Sequence, residues 1–166
     1  MKPLVVTGTD TDVGKTVVAA MLARALNGIY WKPIQSGSPA DSERAAELGV
    51  REILPEAYRF SAPLSPHRAA ALDGVAIDAA KLDLPRVADG RFLIVEGAGG
   101  LLVPVTETHL QADLFARWRA PVVLVARTSL GTINHTLLSL EALARRNIPL
   151  QGILFCGADE PETIRI

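Results

Sequence analysis

A single cysteine, Cys156, stands among 166 residues, so no disulfide can form within the chain. It lies in an apolar run, where it reads as a small buried hydrophobe in a reducing compartment. Neither charge sign is in excess: 17 Lys and Arg face 18 Asp and Glu, and no basic block interrupts the balance. Nucleic acid and anionic membrane surfaces are therefore not expected partners. No apolar stretch approaches the ~20 residues of a membrane span. Lys15 interrupts the first apolar region before a signal-peptide core can form. The cytoplasm is the expected compartment. What is present is 49% hydrophobic and 21% charged residues, a globular balance. The length suits one domain over residues 1–166.

Short runs of Val, Ile and Leu alternate with helix-like segments. Strands are expected over 4–6, 29–32, 92–95, 122–125 and 152–155. Helices are expected over 15–27, 42–48, 110–119 and 132–146. The first helix carries Val18, Met21, Leu22, Ala25 and Leu26 as one stripe, and Gly28 stops it. Continuous rather than alternating apolar strands suit a sheet covered on both faces. The expected fold class is α/β, with a mostly parallel β-sheet flanked by helices on both faces. Residues 33–90 hold six prolines, at 33, 39, 55, 63, 66 and 85, and read as long connections and short helices. In such sheets ligands sit at the carboxyl ends of the strands.

The segment "TGTDTDVGKT", residues 7–16, follows the first strand and opens the first helix. It looks like a phosphate-binding loop, making the fold P-loop NTPase-like. Gly14 allows close backbone approach, and Lys15 can reach β- and γ-phosphates. The Thr16 hydroxyl can serve Mg²⁺. The generic motif has four residues between its first Gly and Gly-Lys-Thr; here residues 9–13 intervene, and Asp10 and Asp12 are acidic. "YWKPIQSG" places Lys32 at a strand end, where a second cation can neutralise phosphoryl oxygens or a substrate carboxylate. Ser36 and Gly37 follow it with a hydroxyl and free backbone donors. Asp41 heads a helix; spacing alone fits a first-turn acid and a magnesium ligand equally. "FLIVEGAGG" ends a strand on Glu96, which fits the second carboxylate of an ATPase metal site. "SLGTINHT" brings Gly131 and Asn134 to a helix N-terminus that can receive a carboxylate, though capping accounts for Thr132 as well. His67, His109 and His135 form no metal pattern.

Together these segments resemble the dethiobiotin synthetase family, with "VTGTDTDVGKT", "KPIQSGS", "LSPH", "VEGAGGLLVPV" and "LGTINHT" in the family's order, covering residues 4 to about 155. The resemblance implies an ATP-dependent ligase that closes a cyclic urea on 7,8-diaminononanoate with CO₂. It implies that the lengthened loop and its acids belong to the family pattern. Lys15 and Lys32 would be catalytic, stabilising carbamate and phosphoryl charge. Thr16, Asp41 and Glu96 would hold Mg²⁺. The nucleotide would lie against Asp12, Val13, Gly14, Lys15, Thr16, Val17, Asp41 and Glu96, with Gly97, Ala98 and Gly99 lining the site. Ser36 and Thr11 would contact the diamine acid. Its distant carboxylate would meet Gly131 and Asn134 of a neighbouring subunit in a homodimer. Asp10 and Asp12 need not face the phosphates and can turn toward the amines or the partner.

Two departures from the family pattern bear on adenine recognition. Cys156 and Gly157 stand where an Asn-Asp pair is usual, and the family commonly continues beyond residue 166. Two other readings share the fold. A partner-controlled switch ATPase would carry a Lys where Thr9 stands, and a corrinoid amide ligase would carry an additional glutaminase domain.

Overall fold

The apolar runs pair as strands, and small residues let helices lie closely on both sides of them. The computed structural model describes residues 1–87 and 90–165. Its elements are β1 (Lys2–Gly8), α1 (Lys15–Ala25), β2 (Ile29–Trp31), β3 (Ile34–Ser36), α2 (Asp41–Glu47), β4 (Ile53–Leu54), β5 (Tyr58–Phe60) and α3 (Pro66–Leu72). After a short 3₁₀ turn come β6 (Phe92–Gly100), α4 (Gln111–Trp118), β7 (Val122–Arg127), α5 (Thr132–Arg145), β8 (Leu150–Cys156) and α6 (Pro161–Ile164). Six strands form one sheet in the order β4-β2-β6-β1-β7-β8, with all neighbours parallel. β3 and β5 pair apart from it.

Successive residues of the central strands feed two different cores. Val5, Leu93 and Val95 pack with Leu114 and Phe115 beneath α4, whereas Leu4, Val6, Tyr30 and Ile94 pack with Val18, Ala19 and Ala23 of α1. Burying one such aliphatic side chain contributes about 1.5–3 kcal/mol. Ala19, Ala20 and Ala23 give α1 a flat face, so it lies close over β1 and β6. The helix ends at Ala25, two residues before its expected limit. Asn27 adopts a left-handed φ of 46°, and the Gly28 amide donates back to the Ala23 carbonyl at 2.7 Å.

Two expectations needed correction. Residues 33–90 are not only loops and helices, because three short strands lie there. Runs of two or three residues carry no period to detect. β6 continues to Gly100, five residues past its expected end, because β1 alongside it extends to Gly8 and pairs Gly8 with Gly100. Glu96 and the glycines after it are therefore strand, and their backbone is fixed.

Candidate active site

Three parallel strands contribute to one site. β1 delivers the 8–16 loop, β2 delivers Lys32 and β6 delivers Glu96. They border a cleft of about 850 Å³, walled by Thr11, Asp12, Lys15 and Thr16 on one side and by Ser36 and Asp41 on the other. A second groove, of about 750 Å³, runs along α1 past Arg24, Arg51 and Arg91. It carries neither the loop nor a carboxylate, so the chemistry belongs to the first cleft.

The five-residue gap has a physical account. The extra length folds back over Gly8, where a Cβ would lie 2.6 Å from Val13 Cγ2 and 2.8 Å from the Asp10 carbonyl. Val13 is buried in the α1 core and anchors the fold-back. Asp12 and Gly14 take left-handed φ values of 57° and 98° on either side of it. Asp10 turns away from the phosphate position: its carboxylate accepts from the Thr11 amide at 2.8 Å and from Arg127 Nη2 at 3.1 Å. Asp10 thus pins the loop to the end of β7 in its own chain. Asp12 stays exposed on the cleft rim.

Three polar side chains converge on Glu96, itself 1% exposed. Oε1 accepts from Thr16 Oγ1 at 2.9 Å and from Lys32 Nζ at 3.0 Å. Oε2 accepts from Tyr30 Oη at 2.8 Å. Lys32 also donates to the Gly97 carbonyl at 3.2 Å and forms an ion pair with Asp41. Burial would lower the Lys32 pKa, but Glu96 and Asp41 outweigh it, and the net shift is upward. The Lys15 ammonium donates to the Asp10 carbonyl at 2.8 Å. Its pKa is lowered, first by burial and then by the Lys32 charge. Burial and the Glu96 charge push the Tyr30 phenol upward, so it remains a donor.

Opposite shifts in two neighbouring lysines yield a pH prediction. Lys15 should lose its proton below its ordinary value of 10.5, while Lys32 keeps its own. ATP affinity should therefore fall as pH rises through the lowered Lys15 pKa. In Lys32→Met a positive neighbour is gone and two carboxylates are freed, so the fall should move to higher pH. Calorimetric titrations across pH 7–10.5 read this directly; a midpoint that moves downward would contradict the coupling.

The expected site residues divide into three groups. Thr11, Asp12, Gly14, Lys15, Thr16, Val17, Lys32, Ser36, Asp41, Glu96, Ala98 and Gly99 all border the cleft. Val13 and Gly97 do not. A Cβ on Gly97 would face inward, 3.1 Å from Phe115 Cζ, so only its carbonyl serves the site, through Lys32. Gly131 and Asn134 lie outside the cleft, exposed at the start of α5. Cys156 is half-buried rather than enclosed, and its Sγ lies 3.0 Å from where a Gly14 Cβ would be. Two residues passed over in the sequence do support the site. Tyr30 was legible only as a polar group inside an apolar strand. Gln35 accepts from the Asp41 amide at 3.1 Å and donates to the Ser36 and Gly37 carbonyls, both at 3.2 Å. It ties the Ser36 loop to the start of α2.

A parallel sheet ending in a lysine-bearing phosphate loop defines a P-loop nucleotide-binding domain. A family model described as AAA domain matches residues 2–166. The kinase domain of the Escherichia coli tyrosine kinase ETK shares the fold, with a TM-score of 0.56 at 16% identity over 96% of this chain and 69% of that one. Sequence relatives are more specific. The ATP-dependent dethiobiotin synthetase BioD of Rhodopseudomonas palustris strain HaA2 is 58% identical over 170 residues, which span 99% of this chain and 79% of the relative. The enzyme of the same name from Agrobacterium fabrum is 56% identical, over 98% and 78%. That of Novosphingobium aromaticivorans is 55% identical, over 95% and 77%. The chain belongs to the ATP-dependent dethiobiotin synthetase family.

Proposed function

We propose that residues 1–166 form one catalytic unit that converts 7,8-diaminononanoate, CO₂ and ATP to dethiobiotin, ADP and phosphate. The observation that carries this reading is the buried Lys32–Glu96 pair, with Thr16 and Asp41 bonded to it, lining the same cleft as the lengthened phosphate loop. One amine takes up CO₂ as a carbamate. A carbamate oxygen attacks the γ-phosphorus and ADP departs. The second amine attacks the carbonyl of the carbamic–phosphoric anhydride, expels phosphate and closes the urea ring.

Each residue has a place in this scheme. Lys15 and the α1 N-terminus hold phosphate oxygens. Lys32, buried yet held cationic by two carboxylates, faces the reacting carbamate and phosphoryl groups. Ser36 Oγ is buried without a partner among the described residues, which leaves its hydroxyl available to the diamine or its carbamate. Thr11 borders the same space.

Thr16, Asp41 and Glu96 suit Mg²⁺. They bring one hydroxyl and two carboxylates, all hard oxygens, to the same cleft, and so few protein ligands would leave positions for phosphate and water, as Mg²⁺ prefers. When bound, the ion would withdraw charge from the phosphate oxygens. Among the described residues no three His, Cys, Asp or Glu side chains cluster, which disfavours a dedicated cage for a softer metal.

A homodimer completes the scheme. Leu130, Ile133, Leu137 and Leu138 leave an apolar strip exposed on and before α5, beside Gly131 and Asn134. Covering that strip with a second copy would carry Gly131 and Asn134 toward a neighbouring cleft, where they would take the substrate carboxylate. No described helix is long and apolar enough to cross a membrane, and dependence on ATP fits the cytoplasm. The test is phosphate release in the presence of MgATP. Release should require both the diamine and CO₂; hydrolysis indifferent to the diamine would favour a switch ATPase.

A further inference from the structure

We infer that Tyr30 is a positioning residue for the metal-binding carboxylate: its hydroxyl fixes Glu96 from behind, so that the opposite oxygen is presented to the cleft. The inference rests on the proposed role of Glu96 as a magnesium ligand. Tyr30 sits in β2 opposite Ile94 of β6, and both belong to the core under α1. Glu96 lies two residues further along β6, about 6.6 Å at the usual strand rise. A tyrosine ring spans that distance along the sheet, and the phenol reaches Oε2 at 2.8 Å. A phenylalanine there would fill the same space and stop short of the oxygen.

The two carboxylate oxygens have different company. Oε1 is shared by Thr16 and Lys32, both of which border the cleft and have other work at the phosphates. Among the described residues Oε2 has only Tyr30, which is completely buried and does not line the cleft. Donors on Oε1 can be exchanged for ligands without disturbing the phenol. Tyr30 is thus the contact that can persist while the cleft loads, and it restricts the three side-chain torsions that would otherwise let Glu96 swing. Partners behind a metal's ligands commonly govern affinity by 10–100-fold.

The test uses Mn²⁺ as the probe, binding to the protein–ADP complex and read from the EPR signal of the free ion, with ADP alone as blank. Tyr30→Phe should raise the Mn²⁺ dissociation constant about tenfold, while ADP affinity in EDTA stays within about twofold. Glu96→Gln should weaken Mn²⁺ binding further, and adding Tyr30→Phe to it should then have no additional effect. An equal tenfold loss in the Glu96→Gln background would mean that Tyr30 acts by packing, and would overturn the inference. So would unchanged Mn²⁺ binding in Tyr30→Phe, or loss of its cooperative thermal transition, which would make the hydroxyl a requirement of the fold. If Glu96→Gln itself leaves Mn²⁺ binding unchanged, the metal role of Glu96 fails instead, which separates the two outcomes.

Discussion

Lys32→Ala should reduce kcat by about 10³-fold, the upper range for losing one donor aimed at developing charge, while ATP affinity in EDTA changes by less than about threefold. The asymmetry follows from position. Lys15 rises from the phosphate loop itself, whereas Lys32 follows β2, separated from β1 by β6, and lines the same cleft. Its ammonium is buried and balanced by Glu96 and Asp41, so the charge is kept at neutral pH without solvent. Removing it also leaves the Glu96 carboxylate with neutral donors only, Tyr30 and Thr16. Breaking a buried pair in this way costs on the order of 3 kcal/mol, so assays belong well below the variant's melting point. Steady-state turnover with calorimetric ATP binding separates the two roles. Normal turnover would remove Lys32 from the chemistry.

Glu96→Gln should shift the magnesium dependence of turnover upward by on the order of a hundredfold and lower Tm by roughly 6–12 °C. The two effects have different origins. The amide keeps the shape of the carboxylate but loses its charge, so it is a poor ligand for a hard cation. It also turns an NH₂ group toward Tyr30 or toward Thr16 and Lys32, all of which now donate to the carboxylate. Lys32 is left with Asp41, whose side chain is 34% exposed, and the Gly97 carbonyl. A magnesium titration beside a thermal melt reads both effects. An unchanged magnesium midpoint would count against the metal role even if the melt moved.

Much of this site could be read in the sequence because apolar runs mark where its chemistry falls. Lys32, Glu96 and the 8–16 loop each follow an apolar run, and a parallel sheet brings such positions together. Asp41 was ambiguous because a first-turn acid and a ligand look alike in one dimension; its ion pair with Lys32 and its place on the cleft wall are visible only in three dimensions. Gly97 misled for the opposite reason. Glycine suggests bare backbone at a ligand, but the strand's alternation turns this one inward, against Phe115. Tyr30 and Gln35 were missed because their partners are distant in sequence or are backbone atoms. No spacing rule links Tyr30 to Glu96; the register of β2 against β6 does.

The lengthened loop shows the same division. Its Gly-Lys-Thr half follows the generic motif, while the direction of Asp10 depends on Arg127 at the far end of β7. The acid that looked misplaced beside phosphates is a strut between the loop and the sheet.

The central claim is that a carbamate oxygen is phosphorylated in this cleft. Turnover of the diamine with MgATP and C¹⁸O₂ tests it most directly, with mass spectrometry of both products. The account predicts that one ¹⁸O appears in the released phosphate and the other in the carbonyl of the cyclic urea. Cyclic urea formed alongside unlabelled phosphate would contradict it.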